Sequence, residues 1–428
     1  MNFFLRLRQS EHRKYVIAYL LAIVLPSFLQ GASVFFMAIL ALQAIFSKNF
    51  SLINLFREKW MLYPALLYLF MCATAFFPPL GNESKTSFQV FSASLPYILI
   101  PLSIFTIVGA NRAVLERIIR VFTLSLAASL LIALIYGIVD ILVTGSSTLI
   151  INLGEYHKLR YYGLTRISSN WHPIYVSLQI NLSLLFILFR QSKIFPDRRY
   201  DYLLLIFLMV MNILLNSLTG LATMVLILTT WVIRRSLLGT RGAGGLVTGF
   251  AMICLLIGSI AFSPSVRDKF NQVVESGIEP TDDYEERSAF SMRLAKWVTY
   301  TSIFLDHKYL GTGVNNISPL RKEYYLKRGY EDLALHNYNA HNQYLEILAT
   351  YGIAGTLLFL LIIGTFLKRV GFRDITPLVF LGTCLLAWTT ESMLNRQQGL
   401  ILFMFYYGLL LAECSGRKEN EIPSTLPA

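Results

Sequence analysis

The feature that most constrains this chain is the recurrence of apolar runs long enough to cross a bilayer. A chain in hydrocarbon must satisfy its backbone internally, so runs of this length read as helices. They occur at about 15–29, 32–46, 60–77, 88–110, 119–144, 172–189, 201–216, 218–233, 246–262, 346–367, 376–390 and 399–411. The expected fold class is therefore all-α, a polytopic membrane protein of about twelve transmembrane helices. Between 201 and 233 one long apolar stretch must be cut by a tight turn near Asn216–Gly220. Composition agrees, with 55% hydrophobic and 14% charged residues. No small-residue cleavage site follows the basic N-terminus, so the first run reads as a retained span.

The net charge of +12 reads as a topology signal, not a nucleic-acid patch. Most of the basic residues fall in loops on the N-terminal side of the spans: Arg6, Arg8, Arg13 and Lys14, then the clusters near 48–59, 112–120, 190–199, 234–241 and 368–373. The short opposite loops hold only Lys85, Lys158, Arg160, Arg166 and Arg396. Both termini are expected in the cytoplasm, with the intervening long loop outside. The expected organisation is spans 1–9 over 1–262, an outward loop over 263–345, spans 10–12 over 346–413 and a cytoplasmic tail over 414–428. Cys72, Cys254, Cys384 and Cys414 lie in or beside apolar runs without CxxC spacing, which indicates neither a zinc site nor a disulfide framework.

Two outward segments stand out by length, 145–171 and the long loop. Within the loop, 288–305 has helical periodicity, with Leu294, Trp297, Val298, Thr301, Phe304 and Leu305 on one stripe. Arg293, Lys296 and Tyr300 share an adjoining face, predicting an amphipathic helix on the outer membrane surface with a basic edge. Gly311 and Gly313 should end that element, and a second helix is expected over 319–327. The acidic stretch TDDYEE reads as a solvated loop.

The polar cluster HNYNAHNQ at 336–343 leads directly into an apolar span. In the first turn of a helix, free N–H groups create positive potential, and a phosphate is favoured there. His341 in that position could take a proton from a sugar hydroxyl. Equally, His341 and Asn342 could simply cap the helix. His336 and His341 are five apart and do not share a helical face, which argues against a metal pair. The chain contains no DxD, Walker loop, GxGxxG or GxSxG. Arg160 and Arg166 in the first outward segment, with Arg293 and Lys296 in the second, are the cations best placed to converge on a phosphate.

Three elements resemble the O-antigen ligase and polysaccharide polymerase superfamily. Arg293 with Trp297, followed by HKYLGTGVNN, resembles its R-x3-W element and glycine turn. AHNQYLEILATYGIAG, from Ala340, resembles its most specific motif, and TESMLNRQQG, ending at Gly399, is similar to its late outward turn. The resemblance implies inverting, metal-independent glycosyl transfer in the bacterial inner membrane, with no cofactor. The implied donor is an undecaprenyl-diphosphate-linked glycan. The acceptor would be lipid A core in a ligase or a second lipid-linked glycan in a polymerase. It further implies His341 as the catalytic histidine and Arg293 as a diphosphate-binding arginine, with Arg160, Arg166, Lys296 and Asn342 as substrate-binding candidates. One position departs: Leu218 in NSLTG stands where the family often has arginine. The rival reading is a lipid-linked oligosaccharide flippase, which predicts ionisable residues along a path in mid-span. Asp140 and Glu391 lie toward span ends instead.

Overall fold

The structure is a computed structural model, and it describes residues 58–78, 87–104, 112–143, 172–190, 194–215, 217–237, 280, 289–372 and 374–420. Among these residues the regular structure is entirely helical. In chain order the helices are α1 (Lys59–Thr74), α2 (Ser87–Ser94), α3 (Pro96–Ser103), α4 (Arg112–Val143), α5 (Pro173–Phe189), α6 (Arg198–Leu214) and α7 (Leu218–Leu237). They continue with α8 (Ala289–Asp306), α9 (Ile317–Lys327), α10 (Glu331–His336), α11 (Gln343–Val370), α12 (Ile375–Trp388), a 3-10 turn at Met393–Asn395, and α13 (Gln397–Asn420). Among the described residues, three stretches are long and apolar enough to cross a membrane: Glu116–Ile135, Leu218–Ser236 and Gln343–Val370. The expected runs at 15–29, 32–46 and 246–262, and the outward segment with Arg160 and Arg166, lie outside the described residues.

The expected run at 88–110 is interrupted in its hydrogen bonding. Pro96, at the first position of α3, has no N–H to give to the turn before it. Leu95 nevertheless keeps helical dihedrals, φ −49° and ψ −32°. The break between 201 and 233 falls where the sequence demands, after Leu214 and before Leu218.

Helices α5 and α13 form the centre. Nearly every residue of α5 is buried, and α13 is buried from Leu400 through Ala412. A helix apolar on all sides needs neighbours on all sides, and its few polar groups need partners. Asn181 of α5 donates to the Gly220 carbonyl at 2.8 Å and to Thr223 Oγ1 at 2.6 Å. It also accepts from Asn212 Nδ2 at 2.8 Å, so α5, α6 and α7 meet at one amide pair. Gly220 permits that approach, since a Cβ there would lie 2.4 Å from Ser177 Cβ. At the opposite end of α5, Arg190 bonds Glu413 of α13 at 2.6 Å and lies 3.6 Å from Asp374 before α12.

Helix α11 is broken at Gly352, where φ 62° and ψ −162° leave the helical region. The groups this frees are taken up by the turn after α8. Thr312 N donates to Ala349 O at 3.0 Å and Gly313 N to Thr350 O at 2.9 Å. In return, Ile353 N donates to Lys308 O at 2.8 Å and Ala354 N to Tyr309 O at 3.0 Å. Only glycines fit at the crossing. Gly311 has φ +72°, and a Cβ there would sit 2.4 Å from the Thr350 carbonyl. Helices α8, α9 and α10 enclose a second core of Ala295, Tyr300, Ile303, Ile317, Tyr325 and Leu333, which Ala349 of α11 completes.

One expectation about α8 is corrected. Its apolar stripe of Leu294, Trp297, Val298 and Phe304 is only partly buried, and Leu305 is exposed. The buried face is the one bearing Ser291, Ala295, Lys296, Thr299, Tyr300 and Ile303. The basic edge therefore turns inward. The face is set by Ala295, Tyr300 and Ile303, which pack into the second core, and Lys296 is carried inward with them.

Gly311 and Gly329 separate strain from close approach. Gly329 has φ +76° but open space around its Cβ position. Gly329→Ala should cost about 1–2 kcal/mol, the left-handed penalty alone. Gly311→Ala should cost clearly more or prevent accumulation of folded protein, because backbone blocks its Cβ. Thermal melts of the two purified variants would check this. Equal losses would show that the crossing is not tight.

Candidate functional site

Four helices begin at one end of the bundle, and their first residues meet around the turn between α12 and α13. Asn342, the N-cap of α11, accepts from Tyr344 N at 3.0 Å and Leu345 N at 3.2 Å. Its amide nitrogen donates to Thr389 O at 3.2 Å, and its backbone N–H donates to Ser392 Oγ at the same distance. Thr219, in the first turn of α7, shares a 2.6 Å hydroxyl contact with Thr390. His172, the N-cap of α5, lies within electrostatic reach of Glu391. Helix α13 starts directly after that turn, at Gln397. Four N-terminal dipole ends make this a place where negative charge is stabilised.

The chemistry-bearing contact is between His341 and Glu391. Nδ1 of the imidazole lies 2.9 Å from Glu391 Oε2. Glu391 is almost wholly buried, whereas the His341 side chain is 25% exposed. His341 is also held in a left-handed conformation, φ 45°, unusual for a residue other than glycine. That backbone turn fits between its own N–H, bonded to Asn339 Oδ1 at 3.2 Å, and the N-cap that follows. With Nδ1 committed to the carboxylate, Nε2 is the ring atom left for a substrate. Burial alone would raise the Glu391 carboxyl, but the hydrogen bond and charge at His341, with the charges of His172 and Arg396, hold it below its ordinary value.

A second carboxylate braces this loop from behind. Glu346 Oε2 accepts from Ala340 N at 2.9 Å and from Ser392 Oγ at 3.4 Å. These two partners are the residue before His341 and the residue after Glu391. Its other oxygen accepts from Tyr300 Oη of α8 at 3.5 Å, and Arg321 Nη1 donates to that same phenol at 3.3 Å. Gln343 closes the frame by accepting from Leu394 N at 2.6 Å.

Arg293 and Lys296 both reach this site from α8, close enough to Glu391 to interact with it electrostatically. Burial lowers the Arg293 guanidinium from its ordinary value, with Glu391 opposing. Burial pushes the Lys296 ammonium down to about 8; Arg293 adds to the fall, and Glu391 and Asp332 oppose it. Lys296 Nζ also lies 4.3 Å over the ring of Tyr338, which stacks on His336 at 5.3 Å. A desolvated ammonium over an aromatic face is partly compensated.

Among the sequence-derived candidates, His341, Asn342, Arg293 and Lys296 are thus brought together. Both side-chain polar atoms of Asn342 are used in holding the turn. Arg160 and Arg166 lie outside the described residues. Leu218 stands at the first position of α7, 45% exposed. Sequence reasoning passed over Glu391, treated only as an acid near a span end, and over His172, Glu346 and Arg396. The available signal was an acid inside the TESMLNRQQG element itself, and a second acid only a few residues into an apolar span.

Burial of Lys296 makes stability depend on pH. An unfolded lysine titrates near about 10.4, so between about 8 and about 10.4 the unfolded chain binds more protons. Stability from this group therefore rises with pH across that window, and below about 8 the folded state carries the full penalty. Lys296→Met should raise the melting temperature at pH 7, by a stability of up to about 3 kcal/mol, and the gain should fade toward pH 10. A lower melting temperature at pH 7 would mean that the Tyr338 contact outweighs burial.

Comparison with known proteins gives a family match. Residues 203–360 match the family described as O-antigen ligase. No curated protein matches the chain. The matched stretch runs from α6 through α11 and contains Arg293, Lys296, His341, Asn342 and Glu346. Over this stretch the chain is similar to the O-antigen ligase family, in line with the resemblance read from its motifs.

Proposed function

We propose that the protein is an O-antigen ligase-like glycosyltransferase. It moves a glycan from undecaprenyl diphosphate to an acceptor sugar, taken to be lipid A core, on the periplasmic face of the inner membrane. The observation that carries this reading is the 2.9 Å contact between His341 Nδ1 and Glu391, with Arg293 and Lys296 on the facing helix. A histidine oriented by a carboxylate presents one defined nitrogen to a hydroxyl. Cations and helix N-termini beside it suit a departing diphosphate.

In the proposed step the acceptor hydroxyl approaches the anomeric carbon from the face opposite the diphosphate. His341 Nε2 takes the hydroxyl proton as the new C–O bond forms. The bond from the anomeric carbon to the diphosphate oxygen breaks with its electron pair, leaving undecaprenyl diphosphate and an inverted linkage. Glu391 holds the imidazole and balances the charge that it gains. Arg293, Lys296 and Arg396 stabilise the charge growing on the leaving oxygen. Asn342 acts through the loop it caps, and Arg160 and Arg166 are proposed as further cations from the first outward segment. This assignment rests on a topology with about twelve spans, both termini in the cytoplasm and the loop of α8–α10 outside.

Four measurements test it. His341→Ala should abolish transfer while the protein still inserts and folds, and full activity in that variant would remove the central residue. Glu391→Gln should lower kcat by about 10²–10⁴ with a nearly unchanged KM for donor. The pH profile of kcat/KM reports groups of the free enzyme. If Lys296 acts as a cation, kcat/KM should fall above about 8, and Lys296→Arg should move that limb upward while retaining activity. Reconstitution with a lipid-linked glycan and two acceptors separates the alternatives. Transfer to lipid A core marks a ligase, growth on a second lipid-linked glycan a polymerase, and movement of intact donor across the membrane a flippase.

A further inference from the structure

Among the described residues, the non-glycine residues with a left-handed backbone are Asn337, at φ 49°, and His341, at φ 45°. They stand at the two ends of the loop that leads from α10 into α11. Such dihedrals persist only where the surroundings over-determine them. Here much of that constraint comes from α9.

Arg321 of α9 ties both ends of the loop with one guanidinium. At the entry, its Nε donates to Asn337 Oδ1. Toward the exit, its Nη1 donates to Tyr300 Oη at 3.3 Å. That phenol donates to Glu346, which accepts from Ala340 N at 2.9 Å, directly before His341. Between the two ends Tyr325, also of α9, donates its phenol to Tyr338 O at 3.0 Å. Ser318 of α9 accepts from Asn337 Nδ2 at 2.7 Å. Burial works against the charge on Arg321, but its interactions with Tyr300 and Glu346 outweigh this and hold the guanidinium above its ordinary value. A planar fork donates in two fixed directions at once, which an ammonium does not. Helix α9 is itself fastened to α8, through Arg328 Nη2 to Ser302 Oγ at 2.6 Å and through Tyr324 Oη to Asp306.

We propose that Arg321 is a positioning residue for His341. By fixing both ends of the loop 337–341, it turns Nδ1 of the imidazole to Glu391 and leaves Nε2 for the substrate. It touches no reacting atom. The inference deepens the transferase reading, and rests on it for the task given to Nε2. A base displaced by about 1 Å loses about 10²-fold in rate, so a residue of this kind acts on kcat and not on binding.

The test uses the full-length protein in nanodiscs, with its histidines labelled with nitrogen-15. His341 is assigned by the signal lost in His341→Ala. In the wild type its neutral imidazole should be the Nδ1–H tautomer alone. Arg321→Met should turn this into a mixture of both tautomers at unchanged helix content, and Arg321→Lys should do the same. Asn337→Gly keeps the left-handed turn and removes one arm, and Tyr300→Phe removes the other. Each should give part of the change, and neither should add to that of Arg321→Met. These two variants carry the test if Arg321→Met does not fold. Arg328→Met, which frees α9 from Ser302 without touching the loop, should leave the tautomer as it was. Where transfer is measurable, Arg321→Met should lower kcat about 10²-fold with both KM values unchanged. A tautomer mixture already in the wild type, a wild-type spectrum in folded Arg321→Met or in both single-arm variants, full rescue by Arg321→Lys, or an equal change in Arg328→Met would overturn the proposal. The tautomer is read without turnover, so absence of transfer in every assay would sink the transferase reading and leave the positioning of His341 standing.

Discussion

A helix broken in its middle leaves carbonyls and amides without partners, and the way Gly352 resolves this governs how the two parts of the protein meet. The turn after α8 supplies four backbone hydrogen bonds across the break. Lifting it away would strand four buried backbone groups, each at about 1–3 kcal/mol. From this anchor α8 and α11 run side by side in the same direction, as the contacts between Lys296 and Tyr338 and between Tyr300 and Glu346 show. Lys296 lies ten residues before the end of α8, and the N-cap of α11 lies ten residues before Gly352. At 1.5 Å per residue both distances are about 15 Å. Matched lengths bring the cations of one helix level with the histidine of the other.

That register explains a burial which local chemistry opposes. Lysine and arginine side chains are rarely desolvated without a partner, and Lys296 is 5% exposed. Its compensation is incomplete, a ring below and Glu391 at a distance shared with Arg293. A buried group kept charged at a cost is a departure from what stability alone would select, and such departures gather where a ligand completes the electrostatics. A diphosphate brought to four helix N-termini and two desolvated cations would supply the missing charge. The stability lost in the empty site is then recovered as binding energy.

Much of this arrangement was legible in the sequence, for physical reasons that differ element by element. Helix α8 and the break before Leu218 follow from periodicity and turn residues, which are local signals. Asn342 as a cap follows from its place one residue ahead of an apolar run. The face of α8 was misread because hydropathy ranks Leu294 and Trp297 above the face of Ala295, Lys296 and Tyr300, while the core that face joins comes from Tyr325, Leu333 and Ala349, far away in sequence. The pairing of His341 with Glu391 spans fifty residues, and no periodicity encodes which span end lies beside which. The outward segment carrying Arg160 and Arg166 was equally readable as basic, and its place stands outside the described residues.

Leu218 ties these points together. At the first position of α7 it offers a dipole end but no charge, beside the Thr219–Thr390 contact that adjoins Glu391. A cation at that position would be held by the bundle itself. With leucine there, the cations among the described residues that would meet the proposed diphosphate come from α8, whose position is set by the crossing at Gly352, and from Arg396 in the turn before α13. The proposed donor would then lean on α8 more than on the bundle. It follows that the glycine turn, far from any reacting atom, carries part of the burden that an arginine in the bundle would otherwise bear.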